Sequence, residues 1–128
     1  MCEVAKYLIL IYGDERVWDA MSPQQVEQLD AGHAAFTARA GTAVLAGGAL
    51  ESTSTATTLR GRVGGRPTPT DGPFLETKEA LGGYYLLQAA DLDEAIALAG
   101  QLPEVAAAHS GVEIRPVREA GGPSAGAV

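Results

Sequence analysis

The stretch VAKYLILIY, Val4 to Tyr12, is rich in β-branched and aromatic residues and stops at Gly13-Asp14, the pattern of a strand closed by a turn. Helix signals follow. Ser22 can cap, Pro23 suits the first helical position, and Gln25 completes a capping box with Ser22. From there Val26, Leu29, His33, Phe36 and Ala40 recur at alternating spacings of three and four, one stripe along a helix that Gly41 ends. AVLAGGAL, Ala43 to Leu50, reads as a second strand, with Gly47-Gly48 marking a bulge or a close backbone approach. TATTLRGRV and RPTPT flank Gly64-Gly65, the pattern of a two-residue hairpin turn in which glycine supplies the positive φ angles. Pro67 and Pro69 lack backbone donors, which puts the second arm of that hairpin at an edge.

GYYLLQA, Gly83 to Ala89, predicts another strand, and DLDEAIALAGQL is the best-marked helix of the chain. Asp91 caps it, Glu94 takes the reciprocal position, and Asp93 adds negative charge at the positive end of the dipole. Leu92, Ala95, Ile96, Ala99 and Leu102 are the expected buried face, and Pro103 limits it. GVEIRPV alternates as a final strand, and the tail EAGGPSAGAV has no core-forming pattern. The expectation is a single domain over residues 1–118 and a disordered tail over 119–128.

The order β-α-β, hairpin, β-α-β matches a ferredoxin-like α+β sandwich, an antiparallel sheet with two helices on one face and an inserted hairpin. A sheet with one wet face should alternate apolar and polar residues. Tyr7 to Tyr12 and Tyr84 to Leu87 are apolar on both faces, and the chain has no spare helix to cover the second. A second copy, sheet against sheet, is the expected cover, so the chain is predicted to form a homodimer.

Composition narrows the function. With 128 residues and a 46% apolar share, the chain can bury one core. The net charge is −7 and the nine Lys and Arg residues are scattered, which argues against nucleic acid as a direct partner. Arg60, Arg62 and Arg66 form the nearest approach to a basic patch and read as a solvated hairpin edge. Cys2 is the single cysteine, so neither an intramolecular disulfide nor a thiolate zinc site can form. The longest apolar run, YLILIY, is too short to span a bilayer, and a soluble cytoplasmic protein without membrane contact is the expectation.

His33 carries the sharpest chemical signal, a titratable ring on an apolar helix stripe between Leu29 and Phe36. It reads either as a satisfied core histidine or as an acid–base group at the floor of a helix–sheet pocket. Asp71, in TDGP, suits an Asx-type turn, with Gly72 permitting unusual backbone angles, Pro73 fixing the exit and Phe74 entering the core. Glu76, Lys78 and Glu79 have the spacing of surface ion pairs, and Glu76, nearest the turn, is retained as a ligand-binding candidate together with Gly72, Pro73 and Phe74 of the turn itself. Tyr84 and Tyr85 point to opposite faces of their strand; Tyr84 is retained as a weaker ligand contact. His109 has no second ligand at metal spacing, and no nucleotide loop or nucleophile elbow is present. No metal and no cofactor is assigned.

The segment TDGPFLETKEALGGYYLL, followed by DLDEAIALA and GVEIRPV, resembles the YCII-related, DGPF-domain family, and the likeness runs from KYLILIYGDE through EIRPV. The resemblance implies a dimeric α/β barrel. It says little about reaction, because the wider group spans muconolactone isomerases, small monooxygenases and haem-dependent enzymes. It also implies a site in which a helix histidine pairs with an aspartate, by position His33 and Asp71. Two functions follow. One is a small-molecule-binding protein working as a cofactor-independent enzyme, with a His–Asp acid–base pair in a helix–sheet cleft. The other is a non-catalytic, dimeric ligand-sensing or regulatory module associated with transcription.

Overall fold

Ser22 Oγ accepts the Gln25 N–H at 3.1 Å while Gln25 Oε1 accepts the Ser22 N–H at 2.8 Å, so the long helix starts at its capping box. The computed structural model describes residues 4–118; Cys2 and the tail 119–128 lie outside them. The elements are β1 (Ala5–Asp14), α1 (Glu15–Asp19), α2 (Pro23–Ala40), β2 (Val44–Ala49), β3 (Thr57–Val63), β4 (Arg66–Asp71), β5 (Glu79–Ala89), α3 (Leu92–Ala99) and β6 (Ser110–Pro116). Short 3-10 turns occupy Gly41–Ala43, Thr53–Thr55 and Pro103–Val105.

The main sheet has the order β2-β5-β1-β6, antiparallel at every junction, and β3 with β4 forms a separate two-stranded ribbon. This is the ferredoxin-like α+β arrangement, with the ribbon inserted between its halves. In the ribbon, Gly64 and Gly65 take φ of 60° and 79°, the two positive angles a tight hairpin requires.

Register divides the sheet residues into two faces. Ile9 stands opposite Tyr85 and Ile114, while Leu10 stands opposite Tyr84 and Glu113. The first row faces the helices. There Tyr7, Ile9, Ile11, Leu87 and Ala89 form the core with Phe36 of α2, Ala95 and Ala99 of α3, and Leu102. The second row carries Leu8, Leu10, Tyr84 and Leu86 on the face away from that core.

Two expectations about the helices are corrected. Leu92 and Ile96 are 48% and 50% exposed, because α3 meets the core through Ala95, Ala99 and the half-buried Leu98, which turns Leu92 and Ile96 outward. Val26 is also exposed, since the first turn of α2 overhangs the core that Phe36 enters. The short helix α1 carries no sequence signal beyond its cap: Asp14 accepts the Arg16 N–H at 3.0 Å and is paired with the Arg16 guanidinium at 3.2 Å. That bond holds the Asp14 carboxyl below the usual carboxylate range.

Candidate functional site

His33 lies nearly three turns into α2, and its ring is fixed at both nitrogens. Nε2 is 2.6 Å from Glu104 Oε2, and Nδ1 is 2.7 Å from the Tyr85 hydroxyl. A carboxylate only accepts, so Nε2 carries a proton toward Glu104; in the neutral ring Nδ1 is then the acceptor for the Tyr85 O–H. The result is a carboxylate–imidazole–phenol chain joining the 3-10 turn Pro103–Val105, α2 and β5.

Each link has a local cause. Glu104 reaches His33 because Pro103, the residue before it, packs on Gly32, the residue before His33. A Cβ at position 32 would stand 2.9 Å from Pro103 Cγ. Glycine inside a helix costs roughly 1 kcal/mol relative to alanine, and here it admits the turn that delivers Glu104. Glu104 is 5% exposed, and its Oε1 has no hydrogen-bond partner among the described residues.

Tyr85 is seated by a second glycine. It stands across from Gly47 of β2, where a Cβ would come within 2.5 Å of the tyrosine Cδ1. Gly48 gives a looser seat to Tyr84, with a Cβ distance of 3.3 Å to that ring. The double glycine is therefore a pair of close approaches, one for each tyrosine, while the register irregularity of β2 falls between Val44 and Ala46. The Tyr85 ring stacks on His33 at 5.8 Å between centroids and tilts against Phe36 at 4.8 Å. Burial pushes the Tyr85 phenol above its ordinary range, and the charge of Glu104 adds to it.

His33, Tyr85 and Glu104 line an open cleft of about 520 Å³ between α2, β2 and β5, a volume suited to a small ligand. Leu29, Thr37 and Val44 contribute to its walls, together with backbone of Gly47 and Gly48. Asp30 and Glu104 bring negative charge to the lining, and no Lys or Arg does so among the described residues.

The remaining sequence candidates lie elsewhere. Asp71 closes β4 opposite Thr57, and the structure does not bring it to His33, whose nitrogens are taken by Glu104 and Tyr85. The turn at Asp71 is held by others: the Gly72 N–H donates to Ala56 O at 2.7 Å, and Thr58 Oγ1 donates to Gly72 O at 2.7 Å. Phe74 does not enter the core. It is 60% exposed, with the Arg60 guanidinium 4.1 Å from its ring centre, a cation–π contact on the surface. Pro73 and Glu76 border a separate shallow hollow with Leu75 and Ala80. Tyr84 lies on the far face of the sheet from Tyr85. His109 bonds its neighbour Ser110 at 2.8 Å.

Sequence reasoning missed Glu104 and the role of Tyr85. Glu104's one signal is a lone acid after proline in LPEVAAA, charge in an otherwise apolar run, whereas Tyr85 is set apart from Tyr84 by strand register alone. Among the described residues no cluster of three or more His, Cys, Asp or Glu is placed to hold a metal, and no helix is long and apolar enough to cross a membrane.

A family model described as YCII-related domain matches residues 5–120. An uncharacterized protein of Rhizobium meliloti (strain 1021) is 36% identical over 113 residues, covering 87% of this chain and 90% of that protein.

Proposed function

The chain belongs to the YCII-related family, and from that premise we propose that it binds a small molecule in the α2–sheet cleft and performs cofactor-independent acid–base chemistry there. The observation that carries this is His33 at the cleft wall, 2.6 Å from the buried Glu104 carboxylate. A carboxylate behind an imidazole fixes its tautomer and stabilises the imidazolium, the arrangement that proton transfer needs. Asp71, which the family resemblance pairs with His33, is replaced in this role by Glu104.

The lining also limits the ligand. Negative charge from Asp30 and Glu104, in a protein of net charge −7, disfavours an anion and favours a neutral or cationic molecule. The test is a fragment screen read by the ring-nitrogen resonances of His33, followed by turnover assays on the hits. Wild-type protein is expected to convert a hit that His33→Gln binds without converting. Hits that bind both proteins and are converted by neither favour the second reading, a ligand-sensing regulatory module. That reading draws on His33 having both nitrogens already satisfied.

Homodimerisation through the face away from the helices is part of the same proposal. Leu8, Tyr84 and Leu86 stand partly exposed there, and the ribbon and the loop after it present Leu59, Val63 and Leu75 to solvent. The apolar row Leu8, Tyr84 and Leu86 on one sheet face is the association surface this proposal rests on.

A further inference from the structure

His33 has no free ring nitrogen to offer a ligand, because Glu104 occupies Nε2 and the Tyr85 hydroxyl occupies Nδ1. The Tyr85 oxygen is different. A phenol carries one proton and two lone pairs, so its bond to His33 leaves it able to meet a second partner. Tyr85 also lines the cleft, seated on Gly47. Resting on the acid–base reading of this cleft, we infer that Tyr85 is the catalytic residue that exchanges a proton with the ligand, and that His33 is the relay behind it, oriented by Glu104.

The relay balances. At rest the His33 Nε2–H donates to Glu104 and the Tyr85 O–H donates to Nδ1. When the phenolic oxygen takes a proton from an acidic C–H of the ligand, its own proton passes to Nδ1. The ligand keeps the electron pair of the broken bond, and the imidazolium formed lies against the Glu104 carboxylate, a charge-assisted contact. His33 then donates through Nδ1 to the Tyr85 oxygen, and the Tyr85 O–H turns from His33 toward the ligand. Delivery of that proton to a second ligand atom, with return of the Nδ1 proton to Tyr85, completes an isomerisation. The protein ends unchanged, and neither oxidant nor reductant takes part. The ligand class is a neutral molecule whose C–H is acidified by an adjacent carbonyl, since the acidic lining disfavours anions. A phenol is protonated at neutral pH, as the first step requires, and burial moves Tyr85 further in that direction.

Nitrobenzisoxazole tests this with the full chain. It is a neutral probe whose acidic C–H is lost as its N–O bond opens to a coloured phenolate, so absorbance reads the departing proton. Wild type is expected to exceed the buffer rate. Tyr85→Phe and His33→Gln are each expected to lower that excess about tenfold or more. Ring-nitrogen spectra are expected to show neutral His33 protonated on Nε2, with the Nδ1 resonance displaced in Tyr85→Phe. If Tyr85→Phe turns the probe over like wild type while His33→Gln does not, His33 meets the ligand itself and the relay is overturned, though the acid–base reading stands. If neither variant changes the rate, or wild type adds nothing to buffer, both fall together. Neutral His33 protonated on Nδ1 in wild type overturns the relay without reference to how any variant folds.

Discussion

Gly32 and Pro103 touch across the gap between α2 and the turn that carries Glu104, and a Cβ at position 32 would stand 2.9 Å from the proline Cγ. Glycine to alanine inside a helix ordinarily stabilises by roughly 1 kcal/mol. At Gly32 the sign reverses, because a proline ring has no flexible end to swing away and the turn itself must move. Gly32→Ala is expected to destabilise the fold by about 1 kcal/mol or more, as overpacking does. It should also lengthen the His33–Glu104 bond, seen as a displaced Nε2 resonance of His33. Denaturant melts that show the usual stabilisation would remove Gly32 from the positioning of the site.

The His33–Glu104 pair should be energetically coupled. His33→Ala leaves a carboxylate that is 5% exposed without its donor, a loss of about 1–3 kcal/mol. Glu104→Ala removes the orienting partner but leaves His33, with 24% of its side chain exposed, access to water. The first substitution is therefore expected to cost more than the second, and the double variant less than their sum. A double-mutant cycle from urea midpoints measures the difference, and strict additivity is the contrary result.

What was legible in the sequence was local. The Ser22–Gln25 box, the Asp91 cap of α3 and the Gly64-Gly65 turn are settled within four residues, and each stands where its pattern put it. Glu104 was hidden because a three-residue turn has no periodicity and its bond to His33 spans 71 positions. Tyr85 reaches His33 across 52 positions, and only strand register decides that it, rather than Tyr84, faces the helix. The turn chemistry of DGP aims Phe74 at the core, yet Phe74 follows a ribbon that pairs with itself and not with the main sheet, and it stays at the surface.

Asp14 sets an acid limit. Its carboxyl is held below the usual carboxylate range, first by the side-chain hydrogen bond from Arg16. A depressed folded pKa contributes stability that is present at neutral pH, above the unfolded value, and is lost as pH falls through the folded value. Asp14→Asn is expected to flatten the pH dependence of the melting temperature on the acid side while leaving α1 capped. If wild type and Asp14→Asn lose stability in parallel there, other carboxylates control the acid limit.

The face of the sheet away from the helices should associate. Leu86 sits across from Leu8 on that face, in a row with Arg115 of β6. Light scattering at micromolar concentration is expected to give twice the monomer mass for wild type and the monomer mass for Leu86→Glu. The charge at position 86 would be buried unpaired in a sheet-to-sheet contact but solvated in a monomer. A wild type that is monomeric at micromolar concentration removes the dimer.

The two glycines of β2 offer a paired control for the site. Gly47→Ala places a methyl 2.5 Å from the Tyr85 ring, whereas Gly48→Ala places one 3.3 Å from the Tyr84 ring on the opposite face. The first distance forces the ring to move; the second asks its neighbour to give by a few tenths of an ångström. Tyr85 is also fixed by stacking on His33 and by Phe36, so its displacement must disturb the 2.7 Å bond to Nδ1. Gly47→Ala is therefore expected to shift the His33 Nδ1 resonance and to lose turnover, with at most about 3 kcal/mol of stability lost. Gly48→Ala is expected to leave both His33 and turnover near wild type. Equal effects from the two substitutions would mean that β2 edge geometry, and not the seat of Tyr85, governs the cleft.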